Sequence, residues 1–261
     1  MVATIKKWVI RLCRRLGYEI IPATRIMPRS IGTHLVSLFG LLGTTCVFDV
    51  GANTGQYRDF LRNEVRYTGL IVSFEPVRKL VEILREKAQS DPGWLVYHCA
   101  LGAAVGRQSI NVMSAETLSS FLAPDNSATD LFAPYNVVDH TEDVEVRTLD
   151  SIIEELRARM DIGKNLYLKM DTQGYDLEVL KGAEHSLAMI AAVQTELSCL
   201  ALYKNMPGYV EMLAALDQKG FQLSGMFPVN QDTSLRIIES DCVMLNSALV
   251  KSAGNRLMWT M

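Results

Sequence analysis

Residues 47–55 read Val47-Phe48-Asp49-Val50-Gly51-Ala52-Asn53-Thr54-Gly55, an apolar strand that ends in an acid and runs into a glycine-bearing turn ahead of a helix. A βαβ unit that binds a nucleotide-like ligand begins in this way. A dinucleotide would need the spacing G-x-G-x-x-G so that the backbone can approach a pyrophosphate. Here the glycines are Gly51 and Gly55 with Asn53 between them, and Asp49 would repel the phosphates. An acid at this strand tip instead suits the ammonium group of a methionine-like tail beside a sulfonium centre, which favours S-adenosylmethionine. Glu75 ends the next strand, twenty residues past Gly55, where a carboxylate can accept from both ribose hydroxyls. Asp49, Gly51, Asn53, Gly55 and Glu75 are therefore the expected donor site. The plain alternatives are a tight turn without a ligand and, for Glu75 before Pro76, a charge that steadies a helix N-terminus.

Outward from this stretch, short apolar runs alternate with helix-period segments from Thr45 onward, the pattern of a parallel sheet covered by helices on both faces. Residues 45–50, 70–74 and 94–99 are the first three strands, and 165–171 and 191–197 continue the series. Pro76 opens a helix whose Val77, Leu80, Val81, Leu84 and Ala88 share one face. Further helices are expected over 175–182 and 209–219, the second ended by Gly220. Residues 221–225 and 242–246 are expected to pair antiparallel at one sheet edge. Residues 114–143 are rich in Ser, Asp, Asn and Pro and lack either period, so they read as a long loop covering an acceptor. The expected division is a helical extension over 1–44 and one α/β domain over 45–261.

With 261 residues, 49% of them hydrophobic, the chain can bury one large core. A net charge of −3 gives no global attraction for nucleic acid, and none is expected as a partner. Five scattered cysteines without a CxxC pair argue against disulfides and structural zinc and fit a reducing, cytoplasmic setting. Residues 31–48 are a long uncharged run, but Gly32, Gly40, Gly43 and several Ser and Thr make it a short helix and a strand, not a membrane span. Arg11, Arg14 and Arg15 interrupt what would have to be a signal peptide's apolar stretch. Together with Lys6 and Lys7 they lie among Ile5, Trp8, Val9, Leu12 and Leu16 as a basic amphipathic helix. It suits either peripheral contact with the inner membrane face or packing on the domain or a second copy. The oligomeric state stays open.

Six segments, Asp49–Tyr57 (DVGANTGQY), Phe74–Pro76 (FEP), Ala100–Gly102 (ALG), Thr148–Asp150 (TLD), Leu168–Ala183 (LKMDTQGYDLEVLKGA) and Thr195–Ser198 (TELS), resemble the FkbM-type methyltransferases in order and spacing. The resemblance covers about residues 45–246. It implies a Rossmann-like class I methyltransferase sandwich, a mostly parallel seven-stranded sheet with an antiparallel edge strand. It also implies S-adenosylmethionine as donor, Ala100 as a further donor-site residue, and an alcohol oxygen of a sugar, glycolipid or natural product as acceptor. The chain departs from the usual pattern at Met170, at Thr172-Gln173 and at Tyr175-Asp176, which leaves Asp171 in place but weakens the claim of Asp176 to a role.

Asp171 ends a strand of the βα series, where ligands gather outside the carboxyl edge of a parallel sheet, and Glu196 closes a later strand. The pair reads as a base, an acceptor-orienting group or, if a divalent metal is present, its ligands; a helix cap and a backbone-bonded glutamate are the plain readings. Lys169 shares the strand face of Asp171 and is a candidate partner for a carboxylate. His140, in the long loop, is the histidine with a candidate catalytic role. Tyr203 and Lys204 are candidates for the acceptor wall. Two other functions compete: an NAD-dependent oxidoreductase, disfavoured by the glycine spacing and by the lack of a Tyr-x-x-x-Lys pair, and a non-catalytic binding module on the same fold.

Overall fold

The computed structural model describes residues 2–18 and 30–252. Its centre is a seven-stranded sheet of β1 (Cys46–Val50), β2 (Leu70–Phe74), β3 (Trp94–Tyr97), β7 (Leu166–Met170), β8 (Ile190–Ser198), β9 (Phe221–Gln231) and β10 (Ile237–Asn246), in the order β3-β2-β1-β7-β8-β10-β9. The first five are mutually parallel. β10 runs antiparallel to both β8 and β9, so the reversed strand lies one in from the edge and β9 forms the edge itself.

β1 and β7 are buried along their whole length because helices cover both faces. On one face Phe48, Val50, Phe74, Leu168 and Val193 meet α5 (Leu149–Arg159), α6 (Asp176–Lys181) and α7 (Tyr209–Gln218) through Ile152, Leu156, Val179, Leu180 and Leu216. On the other, Val47, Ile71, Tyr167, Ala192 and Val243 meet Leu35, Leu38 and Phe39 of α2 (Ile31–Leu42) and Leu84 of α4 (Arg78–Ala88). The same layer takes Leu61 and Val65 from the π turn that follows α3 (Gln56–Phe60). Residues 31–42, assigned above to an extension, are thus built into the core. α1 (Val2–Arg15) forms the expected N-terminal helix, of which the side chains of residues 2–8 lie outside the described ones.

A second sheet stands beside the first: β4 (Ala100–Leu101) pairs parallel with β6 (Val138–Arg147), and β6 antiparallel with β5 (Gly106–Met113). Ile110, Val112, Val144 and Val146 seat it on Val77 and Leu80 at the start of α4. The expected loop over 114–143 is therefore shorter by its last six residues, which belong to β6. Several of the recurrent segments build this frame. Thr148 caps α5 by accepting from the Ser151 amide, and Asp150 accepts from the amides of His185 and Ser186. Gly102 and Gly182 touch backbone to backbone; a Cβ on Gly182 would stand 2.0 Å from the Gly102 carbonyl oxygen.

Candidate active site

The strand order reverses between β1 and β7, so the chain leaves their carboxyl ends in opposite directions and a crevice opens there. Gly51 and Asp171 are the residues that leave. Asp171 N donates to Val50 O at 3.1 Å, and a Cβ on Gly51, which has φ +78°, would lie 2.0 Å from the Asp171 carbonyl oxygen. Glycine alone allows that approach and that dihedral together. The cavity above this joint has a volume of about 440 Å³, within the range of small-molecule sites.

One end of the cavity is walled by Gly51, Ala52, Asn53, Glu75, Pro76, Ala100, Leu101 and Ile110. Asn53 takes up φ +48°, which turns its amide onto Glu75 Oε2 at 2.8 Å, while Val77 N donates to Oε1 at 2.9 Å. Both oxygens of this buried carboxylate hold one backbone donor and keep further acceptor capacity. Burial outweighs these donors and raises its pKa to about 7, with Asp49 adding to the rise. Of the expected donor residues, Gly51, Asn53, Glu75 and Ala100 line the cavity; Asp49 and Gly55 lie behind it. Gly55, φ +87°, stands at the start of α3, where a Cβ would lie 2.9 Å from the Trp94 ring.

Asp49 is fully buried because strand alternation turns it to the opposite side from Val50. There it heads a row across the sheet. Trp94 Nε1 donates to Ser73 Oγ, and Ser73 Oγ donates to Asp49 Oδ2, each at 2.9 Å; Lys169 Nζ sits 3.3 Å from Asp49 Oδ1. The register places Asp49 opposite both Ser73 and Lys169. The same ammonium reaches Asp171 Oδ2 at 3.4 Å and Gly51 O at 3.3 Å, and stands 5.2 Å from the centre of the Tyr57 ring. Burial disfavours its charge, but Asp171 and Asp49 win and hold its pKa above the ordinary lysine value. Lys169 is consequently held as a cation that ties strand to strand.

The other end of the cavity gathers polar groups from four elements: Tyr57 of α3, Gln194 and Glu196 of β8, Asp241 of β10, and Asp171 with Gln173 after β7. Gln194 Oε1 accepts from Tyr57 Oη at 2.6 Å and Tyr167 Oη at 3.0 Å, and its Nε2 donates to Asp241 Oδ1 at 3.0 Å. Glu196 stands directly opposite Asp241 in the β8–β10 register. Burial, then the charges of Asp171, Glu239, Asp241 and Asp176, push the Glu196 carboxyl well above the usual carboxylate range. Asp176 itself is structural: it accepts from Thr195 Oγ1 at 2.5 Å and from the amide and hydroxyl of Thr172, pinning the turn after β7 to β8.

His140 is not brought to this place. It is exposed on β6, within 2.9 Å of Asp139 Oδ2 and 3.2 Å of Glu142 Oε1, and does not line the cavity. Tyr203 is buried one layer behind, and Lys204 is exposed. The 114–137 segment supplies Glu116, Thr117, Ser119, Ser120 and Phe121 to the rim. Its Asn111–Ser120 and Pro124–Tyr203 bridges fasten it on both sides. A divalent metal is a poor fit to Asp171 and Glu196: the space between them is filled by the Gln173 amide nitrogen, 3.0 and 3.1 Å from their oxygens, where a cation would require oxygen ligands. Among the described residues no group of three or more His, Cys, Asp or Glu is arranged to hold a metal ion. The sequence reading missed Tyr57, Gln173, Gln194 and Asp241. Tyr57 and Gln173 lie within two of the recurrent segments, and Asp241 is an acid inside an apolar strand.

An α/β sheet with a cavity at its switch point, an acid on the second strand tip and a glycine turn beneath has the layout of a nucleotide-type ligand site. The model of the methyltransferase FkbM domain matches residues 49–223, and the chain belongs to that family of methyltransferases. Three solved structures are similar to it. Methyltransferase FkbM from Methylobacillus flagellatus KT has 16% identity and a TM-score of 0.47, covering 77% of this chain and 43% of that one. A putative O-methyltransferase from Klebsiella pneumoniae has 11% identity and a TM-score of 0.45, with coverages of 92% and 89%. Aeropyrum pernix fibrillarin, in complex with natively bound S-adenosyl-L-methionine, has 9% identity and a TM-score of 0.41, with coverages of 81% and 73%. The chain therefore spans less than half the length of the first of these. No curated protein matches it.

Proposed function

We propose that this chain is an S-adenosylmethionine-dependent O-methyltransferase that acts on a hydroxyl of a sugar, glycolipid or natural product. The observation that carries the reading is the joint between Gly51 and Asp171, which puts the donor turn and a cavity-facing carboxylate in backbone contact. The donor, when bound, supplies an electrophilic methyl group on a sulfonium. Gly51, Ala52, Asn53 and Ala100 would hold it, with Glu75 accepting from the ribose hydroxyls.

The remaining work falls to the acceptor end. A hydroxyl placed against Asp171 donates its hydrogen bond to the carboxylate; as the oxygen–carbon bond forms and the carbon–sulfur bond breaks, the proton passes to Asp171. Such a positioned base contributes roughly 10²–10⁴-fold. Lys169 keeps the Asp171 Oδ2 atom in place from the other side. The carboxyl groups of Asp171, Glu196 and Asp241 stand at this end, and its Lys169 is already paired, which favours hydroxyl donors over an anionic acceptor. Ser119, Ser120 and Phe121 limit the access of water, which would otherwise compete for the methyl group.

The test is a mass-spectrometric screen of glycan, glycolipid and natural-product acceptors for a methyl increment, run with Asp171→Asn and with EDTA alongside. Turnover that survives chelation and drops more than about a hundredfold in Asp171→Asn, with donor binding retained, is the expected result. Near-normal turnover in Asp171→Asn sinks the base assignment, and the absence of any methylated product favours a binding module. Among the described residues no helix is long and apolar enough to cross a membrane. α1 and the turn after it expose Leu12 and Leu16 beside Arg11 and Arg15, which supports a peripheral hold on an anionic surface near a lipid-linked acceptor.

A further inference from the structure

Asp171 and Glu196 share the acceptor end with Asp241, and Glu239 is buried nearby, so repulsion works against keeping the first two close and oriented. Between them lies an uncharged amide. Gln173 Nε2 donates to Asp171 Oδ1 at 3.0 Å and to Glu196 Oε2 at 3.1 Å, which uses both of its hydrogens. The side facing the acids fixes which atom is which, because an NH₂ and not an oxygen can face two carboxylate oxygens. Tyr203 Oη, 2.9 Å from Gln173 Oε1 and 2.7 Å from Leu118 O, shares its one hydrogen between those two acceptors. The backbone is fixed as well. Gln173 and Gly174 both adopt left-handed dihedrals, φ +52° and +89°, and Ser120 Oγ donates to the Gln173 carbonyl at 2.7 Å. A non-glycine residue in that region persists when its surroundings over-determine it.

We propose that Gln173 is the positioning residue of the acceptor end: one amide clamps Asp171 and Glu196 at a set separation and couples them, through Ser120 and Tyr203, to the 114–137 segment that rims the cavity. The inference rests on Asp171 receiving the acceptor's proton. The clamp occupies one oxygen of each carboxylate and leaves Asp171 Oδ2 and Glu196 Oε1 for a hydroxyl. Facing the pair are Lys169 from β7, with Asp49 of β1 behind it, Tyr57 from α3, Asp176 from α6, Tyr203 from the segment after β8, and Glu239 and Asp241 from β10. Lys169 is the one cation among them. Removing the amide donors therefore adds to the repulsion that already raises the Glu196 carboxyl.

Two variants test this. Gln173→Asn keeps an amide in a residue type that tolerates the left-handed backbone but is one methylene too short to span both carboxylates. Gln173→Glu keeps the length and replaces both donors by a third acid. Both are expected to lower kcat by about tenfold or more and to move the acid limb of the pH–rate profile upward, Gln173→Glu further and by about one pH unit, while S-adenosylhomocysteine affinity changes less than about threefold. Gln173→Asn supplies the measurement if Gln173→Glu fails to fold. Asp171→Asn keeps the two readings apart. If that variant retains turnover, the base assignment fails whatever Gln173 does; if it is inactive while both Gln173 variants keep the native kcat and pH profile, the clamp is overturned.

Discussion

Donor affinity should depend on pH through Glu75. Its carboxyl titrates at about 7 because burial outweighs the two backbone donors from Asn53 and Val77. Ribose hydroxyls donate, so they prefer the ionised form. A ligand that binds only that form weakens about tenfold for each pH unit below 7, which makes S-adenosylhomocysteine roughly 30-fold weaker at pH 5.5 than at pH 8. The ligand's own charges are constant over this interval. Glu75→Gln should bind about 10–100-fold more weakly at pH 8 and show no slope, because an amide offers one acceptor oxygen and turns its NH₂ toward a backbone donor. Stability carries the opposite sign. Folding raises this pKa from 4.5 to about 7, so burying the group costs nothing below about 4.5 and about 3 kcal/mol once the pH passes 7. Calorimetric titration at half-unit intervals reads the first effect and thermal melts the second. A flat affinity in the native chain, or an unchanged slope in Glu75→Gln, would refute the assignment of Glu75 to the ribose.

Gly51→Ala should lose about 2–5 kcal/mol in denaturant titration, from a Cβ driven against the Asp171 carbonyl at φ +78°; native stability would disprove the close approach. Lys169→Met strands the buried Asp49 carboxylate and should cost about 3–5 kcal/mol, and a loss under about 1 kcal/mol would show that the ammonium does not hold the strands together. Replacing Arg11, Arg14 and Arg15 by Glu should abolish salt-sensitive sedimentation with anionic vesicles, since each basic group near such a surface contributes about 1 kcal/mol. Equal sedimentation of both proteins would assign α1 a packing role.

The parallel half of the sheet was legible because β1, β7 and β8 are covered on both faces and read as continuous apolar runs. That Gly51, Asn53, Glu75 and Asp171 line one cavity was legible from their places at or just past strand tips, and Ala100 from the family resemblance. β5 and β6 were not. Their exposed ends, Arg107-Gln108-Ser109 and Asp139-His140-Thr141, are polar on both sides, and the alternating Ile110/Val112 and Val144/Val146 are too short a signal to stand out. His140 was misplaced for that reason, since pairing to Val112 turned an apparent loop residue into a strand residue. Asp49 carried a different ambiguity. Its position in the motif suggested contact with the ligand, whereas alternation from the cavity-lining Val50 sends it to the opposite side, where Lys169 is its register neighbour. Gln194 and Asp241 come together through an antiparallel register set by β10 folding back, which no local pattern encodes.

The Gly51–Asp171 contact has a bearing on how such a chain can diversify. Donor turn and acceptor acid meet through main-chain atoms of neighbouring strands, with no side chain interposed. The line along which a methyl group would travel is therefore set by sheet geometry, which substitutions in the rim cannot retune. The 114–137 segment and the exposed Val229 on the edge strand belong to that rim and contribute nothing to this joint. Recognition of a new acceptor can be rewritten in those parts while the reaction axis is inherited unchanged, a division of labour that lets one lineage try many acceptors without relearning the chemistry.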